Sequence, residues 1–323
     1  MEQQLIELKT TDFVGGISSE LPFIQANTLP MSLSEVENQH IIPVFVKDNE
    51  PVISHQDFIG CVQEVASLVF KNETILYPSL RVSHPIKGRI PEAKDKPAKD
   101  LLEHEKTIYY ERMAFVIEIP SIQSEISGNK LSLTIGGIKA YNMDNLYNRK
   151  GADEHFKVFI GFQNKVCCNL CIWTDGYSGT LKVKSTNDLM KQVFDLFSNY
   201  EIENHFNSLN SLNQYSLSEH QFVTLVGRAK LYQYLPIEEK KEVPIMMFGD
   251  NQLSLIAKDY YHDKSFCREI NGEIDLWKVF NLFTGANKQS YIDTFLDRGQ
   301  NAHNFISHIK NSVKFGADSW FLR

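Results

Sequence analysis

Residues 156–176, FKVFIGFQNKVCCNLCIWTDG, constrain this chain more than any other stretch. The run is the densest apolar and aromatic segment in the sequence. It divides at Gln163-Asn164-Lys165 into two pieces of strand length, 156–162 and 166–173. A polar step of that size suits a tight hairpin, or a kink in one long strand. The segment is therefore read as the central β element of a mixed α and β fold, with an exposed turn expected at Thr174-Asp175-Gly176.

Composition bounds what can be built around it. A chain of 323 residues with 42% hydrophobic and 11% aromatic content can bury one large core or two ordinary ones. The formal net charge of -7 gives no overall basic footprint, which counts against an electrostatic nucleic-acid coat but leaves room for a local basic groove. There is no apolar run of about 18 residues, so no membrane span and no membrane partner are expected. The opening MEQQLIELKTTDF lacks a basic stretch followed by an apolar one, so no signal peptide is expected. Five cysteines, an odd number, fit a reducing cytoplasm better than a disulfide framework. The expectation is a soluble cytoplasmic protein.

Taken in order, residues 1–40 are poorly committed, broken by Gly15-Gly16, Pro22 and Pro30. Residues 41–46 read as an edge strand containing Pro43. A helix follows, with Ser54 as N-cap, Asp57 three residues on, and Phe58, Cys61, Val62, Val65, Leu68 and Val69 at helical spacing. Residues 81–99 carry Arg81, Lys87, Arg89, Lys94, Lys96 and Lys99 against Glu92 and Asp95, and Pro85, Pro91 and Pro97 argue for an irregular basic loop. Strands are expected at 113–119, 131–135, 138–141 and 179–184. Turns are placed at Ser127-Gly128-Asn129 and Asp175-Gly176, and a turn or bulge at Gly136-Gly137. Short connections favour a largely antiparallel sheet. From 186 onward the period is helical, capped at Thr186 or Asn187 and again at Ser216-Leu217-Ser218-Glu219, with a polar connector at 204–213 and a charged loop at 236–244. Further helices are expected around 252–261, 276–283 and 302–315, followed by a docked Trp320-Phe321-Leu322. The fold class is α+β: a β-rich half at 41–185 against a helical half at 186–323, as one continuous domain.

Motifs for chemistry are sparse. Cys168 and Cys171 form one C-x-x-C with Cys167 beside it, two short of a tetrahedral zinc set, and buried packing is the plainer role. His303 and His308 are five apart and miss the helical metal spacing. No metal or cofactor is expected. Asp144, Asp153, Glu154 and Asp175 lie near strand ends, where carboxylates gathered around a divalent ion would serve a metal-dependent hydrolase or nuclease. Aromatic and basic residues interleave at Tyr109-Tyr110-Glu111-Arg112 and at 228–234, the mix that single-stranded nucleic acid favours.

Arg81 to Arg89 (RVSHPIKGR), His104 to Arg112 (HEKTIYYER), the 156–176 run and Leu276 to Gly285 (LWKVFNLFTG) resemble an uncharacterised domain-of-unknown-function family of Bacteroidetes. The resemblance spans nearly the whole chain and implies a single full-length family domain. Val166-Cys167-Cys168-Asn169 is similar to the V-C-x-N segment of phage/plasmid-like proteins. Trp277, Asn281 and Thr284 are similar to their W-x-x-x-N-x-x-T segment. This likeness implies carriage by mobile elements and transfers no catalytic residue. Trp277 and Asn281, four apart on a helix, are expected to lock it against the central strands. The leading expectation is a non-enzymatic protein handling single-stranded nucleic acid in recombination or replication, with Arg81, Lys87, Arg89 and Arg112 on phosphates and Tyr109 and Tyr110 on bases. The alternatives are the metal-dependent hydrolase or nuclease above, and a regulator or host-defence inhibitor that binds a protein partner through an apolar patch.

Overall fold

The computed structural model describes residues 22–40, 53–144 and 152–323. The strand expected at 41–46 lies outside them. A short strand β1 (Leu29–Met31) and helix α1 (Leu33–Gln39) lead to α2 (His55–Val69). Helix α2 starts where the sequence places it: the Ser54 hydroxyl accepts from the Asp57 amide and the Asp57 carboxylate accepts from Ser54. Then come β2 (Ser79–Val82), β3 (Pro85–Arg89), β4 (Lys106–Tyr110), β5 (Arg112–Ile126), β6 (Asn129–Ala140), β7 (Glu154–Asn164), β8 (Leu170–Tyr177) and β9 (Leu181–Val183). The second half holds α3 (Thr186–Asn199), α4 (Ile202–Asn210), β10 (Ser216–Leu217), α5 (Glu219–Tyr232), α6 (Ile237–Lys240), α7 (Asp250–His262), β11 (Ile274–Asp275), α8 (Leu276–Asn287) and α9 (Ile292–Phe315). The protein is α+β.

Among the described residues, seven strands form one antiparallel sheet in the order β1-β2-β5-β6-β7-β8, with β9 also pairing β7. Residues 156–176 are its core hairpin. Gln163 pairs with Leu170, and the connection of Lys165 to Asn169 resolves the hairpin-or-kink alternative in favour of the hairpin. The sheet is covered on both faces, which explains why β6 and β7 read as almost unbroken apolar runs. Phe115, Ile117 and Ile119, with Phe156, Val158 and Ile160, meet α2 and α3 on one face. Ala114, Val116, Ile138 and Phe159 meet Ile292, Phe295 and Leu296 of α9 on the other. The β7–β8 hairpin also feeds Phe162 and Cys171 into the core built by α5, α7, α8 and α9. Near the beginning of the described chain, the amides of Gln25 and Ala26 donate to the Lys288 carbonyl beyond α8, and Phe23 packs on Phe295.

Several expectations are corrected. Gly136-Gly137 is neither turn nor bulge but the middle of β6, paired with Phe115 and Val116 on β5. A Cβ on Gly137 would lie 2.5 Å from the Phe58 ring and 2.6 Å from the Lys157 carbonyl oxygen, so the glycine lets α2 close on the sheet. Gly137→Ala should cost about 1–3 kcal/mol through this overpacking. The check is a lowered urea midpoint at unchanged slope; a wild-type midpoint would show that the helix has room to shift. Asp175-Gly176 lies within β8, and the chain turns at Gly179. Pro85 does not prevent a strand, because it is the first residue of β3, in a two-stranded pair outside the main sheet. Residues 204–213 are helical, since Leu209 and Leu212 sink into the core beneath an Asn- and Ser-rich exterior. The charged loop at 236–244 contains α6. The cap of α3 is Ser185, one residue ahead of expectation. The Ser127-Gly128 turn is as read, both residues at positive φ in a two-residue hairpin. Phe321 docks fully buried against Phe305.

Candidate nucleic-acid interface

The basic loop of the sequence is a two-stranded arm. Strands β2 and β5 pair within the sheet, and their continuations β3 and β4 pair with each other beyond a break at Ser83-His84 on one side and Glu111 on the other. The break is held by the Ser83 amide donating to the Arg112 carbonyl at 2.8 Å, and by the Arg112 amide donating to the Ser83 hydroxyl at 3.2 Å. Between β3 and β4 the chain makes three 3-10 turns, at Pro91–Ala93, Ala98–Asp100 and Glu103–Glu105.

Register sorts the side chains. Lys87 stands opposite Ile108 and Arg89 opposite Lys106, so Lys87, Arg89 and Lys106 share one face of the ribbon. Ile86 stands opposite Tyr109 and Gly88 opposite Thr107 on the other face. Gly88 is confined by that arrangement, because a Cβ there would meet the Thr107 hydroxyl at 2.7 Å and the Tyr109 ring at 3.4 Å. Lys87 and Lys106 are exposed. The charges are partly balanced: Lys106 pairs with Glu103 and Lys96 with Glu105, while the Arg89 guanidinium donates to the Lys96 carbonyl. Those contacts hold the Glu103 and Glu105 carboxyls below the usual carboxylate range.

Of the six residues named from sequence, the arm brings together Lys87, Arg89, Tyr109 and Tyr110. Only the two cations share the outward face. Tyr109 lies on the opposite face from them, and Tyr110 is 4% exposed, packed into the core at the root of the arm. Neither tyrosine stands beside the cations as a stacking platform, a consequence of strand alternation that a linear reading of Tyr109-Tyr110-Glu111-Arg112 hides. Arg81 is a structural tie: its guanidinium donates to the Thr28 hydroxyl at 3.0 Å and the Thr28 carbonyl at 2.9 Å, joining β2 to the segment before β1. Arg112 lies between Glu111, at 3.2 Å, and Asp293 of α9, at 3.7 Å. Lys106 was the missed member, and its signal was the register in which K-T-I-Y-Y opposes P-I-K-G-R. In the second interleaved run, Tyr232 is buried and Arg228 lies over the Trp320 ring.

The carboxylates do not gather as a metal centre. Asp144 and Glu154 do converge, but around the Lys139 ammonium, 2.9 Å from each, so that a lysine stands where a divalent ion would. Asp153 faces Lys184, and Asp175 is exposed on β8. Among the described residues no group of three or more His, Cys, Asp or Glu is arranged to hold a metal. Cys171 is buried, with its thiol pushed well above the usual range, and burial pushes Cys167 up to about 11, so neither is a ready thiolate near neutral pH. Cys168 lies in the hairpin loop at positive φ, outside the strand assumed for it.

Over residues 4–322 the sequence matches the family described as "Domain of unknown function, B. Theta Gene description (DUF3871)". The chain belongs to this family. No curated protein and no solved structure matches it. In this DUF3871 chain Asn169, Trp277, Asn281 and Thr284 are buried packing residues. Asn281 of α8 accepts from the Asn164 side chain at 3.1 Å, its carbonyl accepts from Asn169 at 3.0 Å, and its own amide donates to the Trp277 carbonyl. The Trp277 indole donates to Asn129 at 2.9 Å. These bonds lock α8 against the central hairpin, as the spacing of Trp277 and Asn281 implies.

Proposed function

We propose that this protein is a nucleic-acid-associated, non-enzymatic member of its family, and that the β3–β4 arm is its contact surface. The observation that supports it is the common face of Lys87, Arg89 and Lys106 on a projecting ribbon. Two-stranded ribbons of this width enter the grooves or follow the backbone of nucleic acid, and lysine and arginine neutralise phosphates there. Because Tyr109 is on the other face and Tyr110, though on the cations' side by register, is buried, contact is with phosphates, and base identity contributes little. Service to a mobile element, in recombination or replication, belongs to the same proposal, as does residence in the cytoplasm, a reducing compartment that suits five free cysteines. No described helix is long and apolar enough to cross a membrane.

The test is binding of labelled single- and double-stranded DNA and RNA at several salt concentrations. Three phosphate contacts predict a log–log salt slope of about -2 to -3. Lys87→Ala and Lys106→Ala should each weaken binding on every sequence alike and flatten the slope by about 1. Binding that ignores salt, or that survives both substitutions together, removes the arm from the function. A marked preference for single strands would restore a role for Tyr109.

A further inference from the structure

The arm is fastened at its root by an unusual pair of contacts. Tyr110, the last residue of β4, has both of its backbone polar atoms bound by histidines. Its amide donates to His40 Nδ1 at 3.2 Å, and its carbonyl accepts from His55 Nε2 at 2.7 Å. The two imidazoles stack with centroids 4.5 Å apart, and Tyr141 stacks on both. The His40 Nε2 lies 2.9 Å from the Tyr141 hydroxyl. His40 also bridges to Ile108 within β4. An imidazole nitrogen accepts a hydrogen bond only when it carries no proton. We propose that His40 and His55 are the latch of the arm, a clamp on the Tyr110 backbone that holds while His40 is uncharged and lets the arm swing free when His40 takes up a proton.

The surroundings fit a latch of this kind. Burial lowers His40 from its ordinary value to about 4, and burial together with the neighbouring His40 holds His55 well below its ordinary value. Among the described residues, no carboxylate pairs with either ring; Asp144 and Glu154 are both engaged by Lys139, and Asp144 also faces His155. The ammonium of Lys139 disfavours a further positive charge on His55. Asp57 from α2 and Glu35 from α1 are the remaining charged groups that act on the tyrosines of the cluster, and Gln39 of α1 accepts from the Tyr110 hydroxyl at 3.4 Å. His55 is the first residue of α2, where the positive end of the helix dipole opposes a protonated ring. A proton on His40 removes the acceptor of the Tyr110 amide and places a cation against a stacked neutral ring. Among the described residues, β3 and β4 pair with each other and with no strand of the main sheet, so the His40 contacts at Tyr110 and Ile108 and the Ser83–Arg112 bonds are what join the arm at its root.

The proposal concerns how the arm is attached and stands whether or not the arm binds nucleic acid. The experiment is hydrogen exchange by mass spectrometry on the full chain at pH 7, 5 and 4, corrected for intrinsic rates, comparing peptides of 85–110 with those of 131–140 in β6. The expected result is a ratio of arm to sheet exchange that rises at least tenfold between pH 7 and pH 4. In His40→Asn, whose side-chain oxygen remains an acceptor at every pH, the ratio should stay flat. Arm and sheet losing protection together in the wild-type chain, or a His40→Asn profile that follows the wild type, would overturn the latch. The wild-type profile decides the matter even if the variant does not fold.

Discussion

Lys139→Met should destabilise the protein by about 3–5 kcal/mol, enough to unfold much of a domain of ordinary stability. The Lys139 side chain is fully buried, its ammonium held between Asp144 and Glu154 and lying 4.0 Å from the centre of the Phe156 ring. Methionine fills nearly the same volume, so the cost arises from two buried carboxylates that lose the Lys139 ammonium. Each has other work: Asp144 accepts from the His155 amide and Glu154 from the Ile53 amide, so neither is free to turn outward. Adding Asp144→Asn and Glu154→Gln to Lys139→Met should recover at least half of the loss, since the amides keep those acceptors without the charge. Chemical unfolding at pH 7 is the measurement. A Lys139→Met protein within about 1 kcal/mol of wild type would show that the carboxylates reach water after all.

Acid should be the second large effect. His205 and His303 are buried beside each other, ring centroids 5.7 Å apart, under Trp173, which stacks on His205 at 5.4 Å. The Tyr200 hydroxyl bonds to His205 Nδ1, and Ser208 bonds to His303 at 3.2 Å. Burial, with His303 adding to it, holds His205 well below its ordinary value, and burial, with the Lys310 ammonium adding to it, brings His303 down to about 4. In the unfolded chain both take protons near pH 6.5. The folded state is therefore at full strength above about pH 6.5 and weakens as pH falls towards 4, by up to about 1.4 kcal/mol per pH unit for each ring. For His303 alone the whole window is worth about 3 kcal/mol. Urea unfolding at pH 7, 6 and 5 should show a steady decline that is shallower in His303→Gln. A stability unchanged from pH 7 to 4.5 would mean that water reaches these rings.

How far the sequence reveals this molecule depends on what each residue answers to. The Ser54 cap of α2, the 127–128 hairpin and the paired strands of 156–176 were legible because local backbone chemistry dictates them. The pairing of Trp277 with Asn281 was legible because helical spacing puts them on one face. Gly136-Gly137 misled because the reasons for the two glycines lie far away in sequence: the Phe159 ring and Phe115 carbonyl against Gly136, and the Phe58 ring against Gly137. Of the four carboxylates grouped near strand ends, only Asp144 and Glu154 converge, and their cation is Lys139 from the adjoining strand end, which no spacing announces. The arm was half legible. Its charge was plain, whereas which face each side chain takes depends on a register set by the partner strand.

The bonds from residues 25–26 to Lys288 carry a consequence for how the protein is made. Gln25 and Gln289, which also bond to each other, are separated by 264 positions. At about 5–20 residues per second, a ribosome takes roughly 15–50 s to travel between them. Strands β5, β6 and β7 are complete only at Asn164, whereas α9 begins at Ile292, so the face of the sheet that α9 will cover stays open while the residues between them are made. The nascent chain must therefore carry an open apolar sheet face through that stage, and its yield in cells should depend on whatever shields that surface until α9 arrives.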